Sequence, residues 1–157
     1  MQKEQKARIS TLGRPLKAVL STLLTVLVLM FSSISSADDI DGVRAAVFDY
    51  FEGINEVSEV RLKRAFADTA ALKSVGEKGD LRVEPISAAI GRWLAGTAKQ
   101  RRGSIVSVDL SGYPIARVVF DFDGAYTDFL TLAKLKGQWK IIDKVFIATP
   151  SCCESDR

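Results

Sequence analysis

TDFLTLAKLKGQWKIIDKVF, Thr127 to Phe146, is the stretch on which the fold turns. Two apolar-rich runs flank Lys136-Gly137, the composition of a tight hairpin. If those two residues form the whole turn, Leu135 pairs with Gln138, Lys134 with Trp139, Leu132 with Ile141, Leu130 with Asp143 and Asp128 with Val145. One face then carries Asp128, Leu130, Leu132, Trp139, Ile141, Asp143 and Val145, with Lys134 at the turn end. The opposite face carries Phe129, Thr131, Ala133, Leu135, Gln138, Lys140, Ile142, Lys144 and Phe146. The first set is the more apolar, so it is expected to face inward, taking two aspartates with it.

Working outward, period-two or continuous apolar runs predict strands over Ser104 to Leu110, Ile115 to Phe122, Thr127 to Leu135 and Trp139 to Ile147, in an antiparallel meander. Ala71 to Val83 reads as two short strands around Gly76 to Asp80. Upstream the period becomes helical: Ile40, Val43, Val47, Tyr50, Phe51 and Ile54 mark one helix, with Asp38 or Asp39 as its cap and Gly53 near its end. A second begins near Ser58 with Val60, Leu62, Ala65 and Phe66. A third follows Pro85 and buries Ile86, Ile90, Trp93 and Leu94. Helices first and a meander last predict an α+β domain whose mostly antiparallel, curved sheet wraps its helices.

The two inward acids are the candidate catalytic residues. Asp128 and Asp143 would lie roughly 6 to 8 Å apart on adjacent strands. Two carboxylates in an apolar pocket raise each other's pKa, which suits one of them to act as a base or neutral donor near neutral pH. The alternative is structural, each acid capping a backbone amide or meeting Arg44, Arg92 or Arg117. Tyr50, Trp93 and Trp139 are candidate ligand-binding residues, with core packing as their alternative role. Arg101 and Arg102, beside Lys99, read as a solvated basic loop.

Of 22 basic and 19 acidic residues, five basic and one acidic precede Asp38, leaving 17 and 18 over the remaining 120. That near-neutral balance argues against binding nucleic acid by phosphate neutralisation. The chain contains no histidine, which excludes a histidine base, His-dependent nucleophiles and His-ligated metals within it. No metal and no cofactor is expected. Residues 1–37 read as a secretory signal: a basic stretch, the apolar run Ala18 to Phe31, and a small-residue segment ending in Ser35-Ser36-Ala37. An apolar helix of 14 residues reaches about 21 Å, short of the roughly 30 Å hydrocarbon core. Cleavage after Ala37 is expected, giving a periplasmic or secreted domain over 38–147 with no membrane attachment. Cys152 and Cys153 are adjacent in the tail 148–157 and cannot close a loop through the domain.

Three runs carry a family resemblance: VFDYFEGI (Val47 to Ile54), RLKRAFAD (Arg61 to Asp68), and the hairpin of Thr127 to Phe146. The chain resembles the nuclear transport factor 2-like superfamily, in the bacterial branch labelled "putative lumazine-binding", near the SnoaL-like and ketosteroid isomerase groups. The resemblance implies a cone-shaped, cystatin-like fold with a deep pocket, frequently dimerised through its sheet. The family commonly has His-Pro after its Arg-Ala-Phe run, where this chain has Ala67 and Asp68, so any role of that histidine is absent.

The leading expectation is therefore an exported pocket domain that binds a small apolar or aromatic ligand. A second is a cofactor-independent isomerase, dehydratase or cyclase using Asp128 or Asp143 as base. A third is a structural or interaction module, homodimeric through an outer sheet face bearing Phe129, Ile142 and Phe146.

Overall fold

A computed structural model describes residues 35–149 except Glu77; the expected leader and the tail cysteines lie outside the described residues. One compact unit begins at Asp39. Helix α1 spans Ser35–Asn55, α2 Glu59–Ala65 and α3 Ile86–Leu94. The strands are β1 Phe66–Val75, β2 Leu81–Pro85, β3 Gly103–Gly112, β4 Ile115–Phe122, β5 Tyr126–Leu135 and β6 Gln138–Ala148. They form one mixed sheet in the order β2-β1-β6-β5-β4-β3, in which only the β1–β6 pairing is parallel.

The core follows from the periodicities. Val43, Ala46, Val47, Tyr50 and Phe51 of α1 are buried against Ala116, Val118, Phe120 and Phe122 of β4, Leu130 and Leu132 of β5, and Trp139 and Ile141 of β6. Register irregularities in the β1–β6, β3–β4 and β5–β6 pairings bend the sheet around α1. At Gly53 an added Cβ would lie 2.9 Å from the Leu62 side chain and 3.2 Å from its backbone nitrogen, so glycine permits the close approach of α2. The Ser58 hydroxyl accepts from Arg61 N at the start of α2. At its end, Lys140 Nζ donates to the carbonyls of Lys63 (2.9 Å), Arg64 (3.1 Å) and Phe66 (3.3 Å), a cation placed where helix carbonyls are unpaired.

Two details depart from expectation. The first helix begins at Ser35, so neither Asp38 nor Asp39 is its cap; the Asp39 carboxylate turns inward and accepts from Trp139 Nε1 at 2.9 Å. The first strand starts at Phe66, directly after α2, rather than at Ala71. Its buried positions Phe66, Ala67, Ala70 and Leu72 skip two exposed residues, a pattern that period-two reading overlooks.

Candidate functional site

The turn of the β5–β6 hairpin is Lys136-Gly137, with φ of 49° and 83°, the left-handed pair a two-residue hairpin needs. Leu135 faces Gln138, Lys134 faces Trp139 and Leu132 faces Ile141, as the sequence predicts. Beyond that point β6 contains one extra residue. Thr131 pairs with Asp143, Leu130 with Lys144, Phe129 with Val145 and Asp128 with Phe146. The bulge at Ile142 reverses every subsequent side chain.

The expected Asp128–Asp143 pair is therefore corrected. Asp143 turns to the outer face, where Lys73 Nζ donates to its Oδ1 at 2.7 Å. Lys144 takes the inward position, and its Nζ donates to Asp128 Oδ2 at 2.7 Å. Electrostatics favours this register: the unshifted one would bury two like charges, whereas the bulge sets opposite charges against each other. Phe146 likewise leaves the predicted dimer face for the interior, and Ile142 becomes the half-buried bulge residue. Arginines do not fill the structural alternative foreseen for Asp128. Arg92 meets Glu84 and Arg117 meets Asp109, leaving lysine as its charged partner.

Asp128 is wholly buried, and its Oδ2 also accepts the Tyr50 hydroxyl at 2.7 Å. Lys144 Nζ donates to the Tyr50 oxygen as well. The proton count closes: tyrosine donates to the carboxylate and accepts from the ammonium, which retains one further N–H. That ammonium lies 4.5 Å from the Tyr50 ring centroid, 5.3 Å from Phe146 and 5.8 Å from Phe122. Burial pushes the Lys144 pKa down, against the opposing pull of Asp128. Burial, followed by the Asp128 charge, pushes the Tyr50 phenol well above its ordinary range. Asp128 Oδ1, in contrast, is buried with no hydrogen-bond partner among the described residues.

This triad borders a pocket of about 280 Å³. Its apolar walls include Ile54, Leu72, Trp93, Phe122 and Phe146, and exposed Tyr126 and Arg92 carry it to the surface. The pocket brings together three of the five sequence candidates, Tyr50, Trp93 and Asp128. Asp143 is outside it, and so is Trp139, which is packed at the turn end of the hairpin with Asp39, Lys134 and Tyr113. Sequence reasoning missed Lys144 and Phe146, hidden by the bulge, and Tyr126, whose inward register depends on the three-residue loop Asp123 to Ala125. It also missed Arg101. Instead of a fully solvated loop position, its guanidinium lies 5.7 Å from the Phe122 centroid in the pocket lining, and Nη1 donates to Asn55 Oδ1 at 3.4 Å.

An α+β fold with a pocket between its first helix and a curved, mixed sheet defines the nuclear transport factor 2-like class. The chain belongs to the family described as "Putative lumazine-binding", whose family model matches residues 38–147. Among solved structures it is similar to an NTF2-like protein of unknown function from Shewanella baltica OS155, with TM-score 0.67 and 20% identity over 76% of this chain and 100% of that one. A similar protein from Silicibacter pomeroyi DSS-3 gives TM-score 0.65 and 25% identity over 73% and 99%. A third, from Methylobacillus flagellatus KT, gives 0.64 and 24% over 74% and 97%. No curated protein matches the chain.

Proposed function

We propose that this protein is an exported binding domain that holds a small planar ligand in the pocket above Asp128. The observation carrying this reading is Asp128 Oδ1, a buried carboxylate oxygen without a hydrogen bond among the described residues, beside an aromatic-walled space. An unmet acceptor in an apolar setting is costly, and a ligand N–H or O–H relieves that cost on binding. The spare Lys144 N–H supplies a neighbouring donor, so the site suits a group that both donates and accepts. The family description makes lumazine, a planar ring with N–H and carbonyl groups, the natural first probe. Export rests on the basic, apolar and small-residue order of residues 1–37. Dimerisation is proposed through the outer sheet face bearing Phe129, Val145 and Ile147, of which Phe129 and Ile147 are exposed. The dimer is expected to bury over about 1,000 Å² in total, and sedimentation showing only monomer at micromolar concentration would refute it.

Thermal unfolding with lumazine and a panel of small aromatic compounds tests the pocket. A ligand at a hundredfold excess over its Kd stabilises by about 2.7 kcal/mol, and that gain is expected to vanish in Trp93→Ala. If no member of the panel raises the midpoint, the reading fails.

A second reading is favoured by the same unpartnered oxygen. Asp128 Oδ1 would take a proton from carbon next to a ligand carbonyl, while Lys144 stabilises the developing oxyanion. Tyr50 suits that second role less well, because its hydroxyl proton is engaged by Asp128. Deuterium exchange at the α-carbon of a bound ketone, absent in Asp128→Asn, separates catalysis from binding alone.

A further inference from the structure

Three cations line the pocket, and they are not equivalent. Lys144 is matched by Asp128 at 2.7 Å. Arg92 is matched by Glu84, with Nη2 to Oε2 at 2.7 Å and Nε to Oε1 at 3.3 Å. Arg101 has only the neutral Asn55 amide, at 3.4 Å, and meets no carboxylate among the described residues. It is half-buried, with its guanidinium carbon 5.7 Å from the Phe122 ring centroid and Asn55 itself buried, and it also borders a neighbouring surface depression with Glu52 and Glu56, neither of which is within ion-pair distance of it. The lining therefore carries one uncompensated positive charge.

The unpartnered Asp128 Oδ1 is a separate observation with the opposite chemistry. The pocket lining thus has a buried acceptor requiring a donor and, at half-buried Arg101, a planar cation requiring an anion, with Trp93, Phe122 and Phe146 as apolar walls. Arg101 lies close enough for its charge to oppose the upward shift of the Tyr50 pKa, so both features act on one space.

We infer that the ligand is a small aromatic monoanion, a carboxylate that docks on Arg101 and carries an O–H or N–H group at its far end to satisfy Asp128. The inference rests on the pocket reading above and narrows it to a chemical class. Arginine suits the anion end because its planar fork engages carboxylate oxygens in pairs. Its cation–π contact with Phe122 and its hydrogen bond to Asn55 restrict that fork before the ligand arrives.

The test uses 4-hydroxybenzoate, its neutral counterpart 4-hydroxybenzamide, and 4-methoxybenzoate, which lacks the terminal donor, in calorimetric titrations of the mature chain. The hydroxybenzoate is expected to bind at least tenfold more tightly than either control at low salt. In Arg101→Gln its advantage over the benzamide should disappear. Arg101 lies outside the buried triad, so this variant is expected to fold, and its circular dichroism and melting midpoint are the check. Equal binding of hydroxybenzoate and hydroxybenzamide to the unmodified protein would overturn the anion inference and leave the pocket reading standing. Retention of the full charge preference in Arg101→Gln would overturn it equally. If none of the three binds, the inference fails, and the wider panel described above decides the pocket reading independently.

Discussion

The hairpin of β5 and β6 holds a buried aspartate at each end, and the two are built from the same parts. Near the turn, Asp39 Oδ1 accepts from Lys134 and from Trp139 Nε1. At the open end, Asp128 Oδ2 accepts from Lys144 and from the Tyr50 hydroxyl. Their surroundings differ. Asp39 closes against packed tryptophan, and an added Cβ on nearby Gly42 would fall 2.7 Å from Trp139 Cδ1. Asp128 borders a pocket and keeps one oxygen without a partner among the described residues. The same lysine, aromatic and carboxylate chemistry therefore fastens helix to sheet at one end and presents unmet hydrogen-bonding capacity at the other.

Identical substitutions at the two ends sharpen that contrast. Asp128→Ala strands the Lys144 ammonium in the interior and is expected to cost about 3 to 5 kcal/mol in urea unfolding. Asp39→Ala leaves Lys134 with a quarter of its side chain exposed. Its expected cost is smaller, about 1 to 3 kcal/mol, because water can partly replace the lost partner. Equal costs would erase the distinction between the two sites. Gly42→Ala probes how tightly the turn end is closed: a Cβ pressed into Trp139 should destabilise by about 1 to 3 kcal/mol and shift the tryptophan emission.

Replacing the whole charged pair asks what it is for. Asp128→Leu combined with Lys144→Met is expected to destabilise by about 1 to 3 kcal/mol, chiefly because the buried Tyr50 hydroxyl loses both partners, while apolar residues otherwise replace the ion pair at little cost. It should nevertheless lose all binding of 4-hydroxybenzoate. A double variant that still binds would remove the pair from the site.

The smallest effect is an acid limb in the stability curve. The hydrogen bonds from Lys134 and then Trp139 hold the Asp39 carboxyl below its ordinary value of 3.8. Hydrogen bonds from Ser111, followed by Arg117, hold Asp109 down at about 2. In both cases the unfolded chain binds the proton first. Their stabilisation is thus complete above the ordinary carboxylate value and is lost as pH falls from about 4 toward 2. Asp39→Asn should flatten that limb without changing ligand affinity.

The helices, the hairpin turn and the class of fold were legible because each follows a regular period or a specific turn requirement. Lys136-Gly137 states its turn type, and Val43, Val47, Tyr50 and Phe51 state their helical face. The site was legible only as far as that regularity lasted. Asp128 and Tyr50 sit in regular segments and were placed correctly, whereas Asp143 and Lys144 follow the adjacent Ile141-Ile142 pair. Two neighbouring apolar residues fit either phase of a strand, and the charge partners that select the bulged phase, Asp128 and Lys73, come from other strands. Arg101 was misread for a related reason: its partner ring, Phe122, is 21 positions away, and local charge density alone suggested a solvated loop.

The central claim, that one buried aspartate is an open binding group and the other a closed fastening, is tested most directly by carbon-detected NMR of the two side-chain carboxyl signals during titration with 4-hydroxybenzoate. The expected result is a saturable shift of the Asp128 signal while that of Asp39 stays in place. A ligand that binds without moving Asp128, or that moves Asp39 instead, would contradict the account.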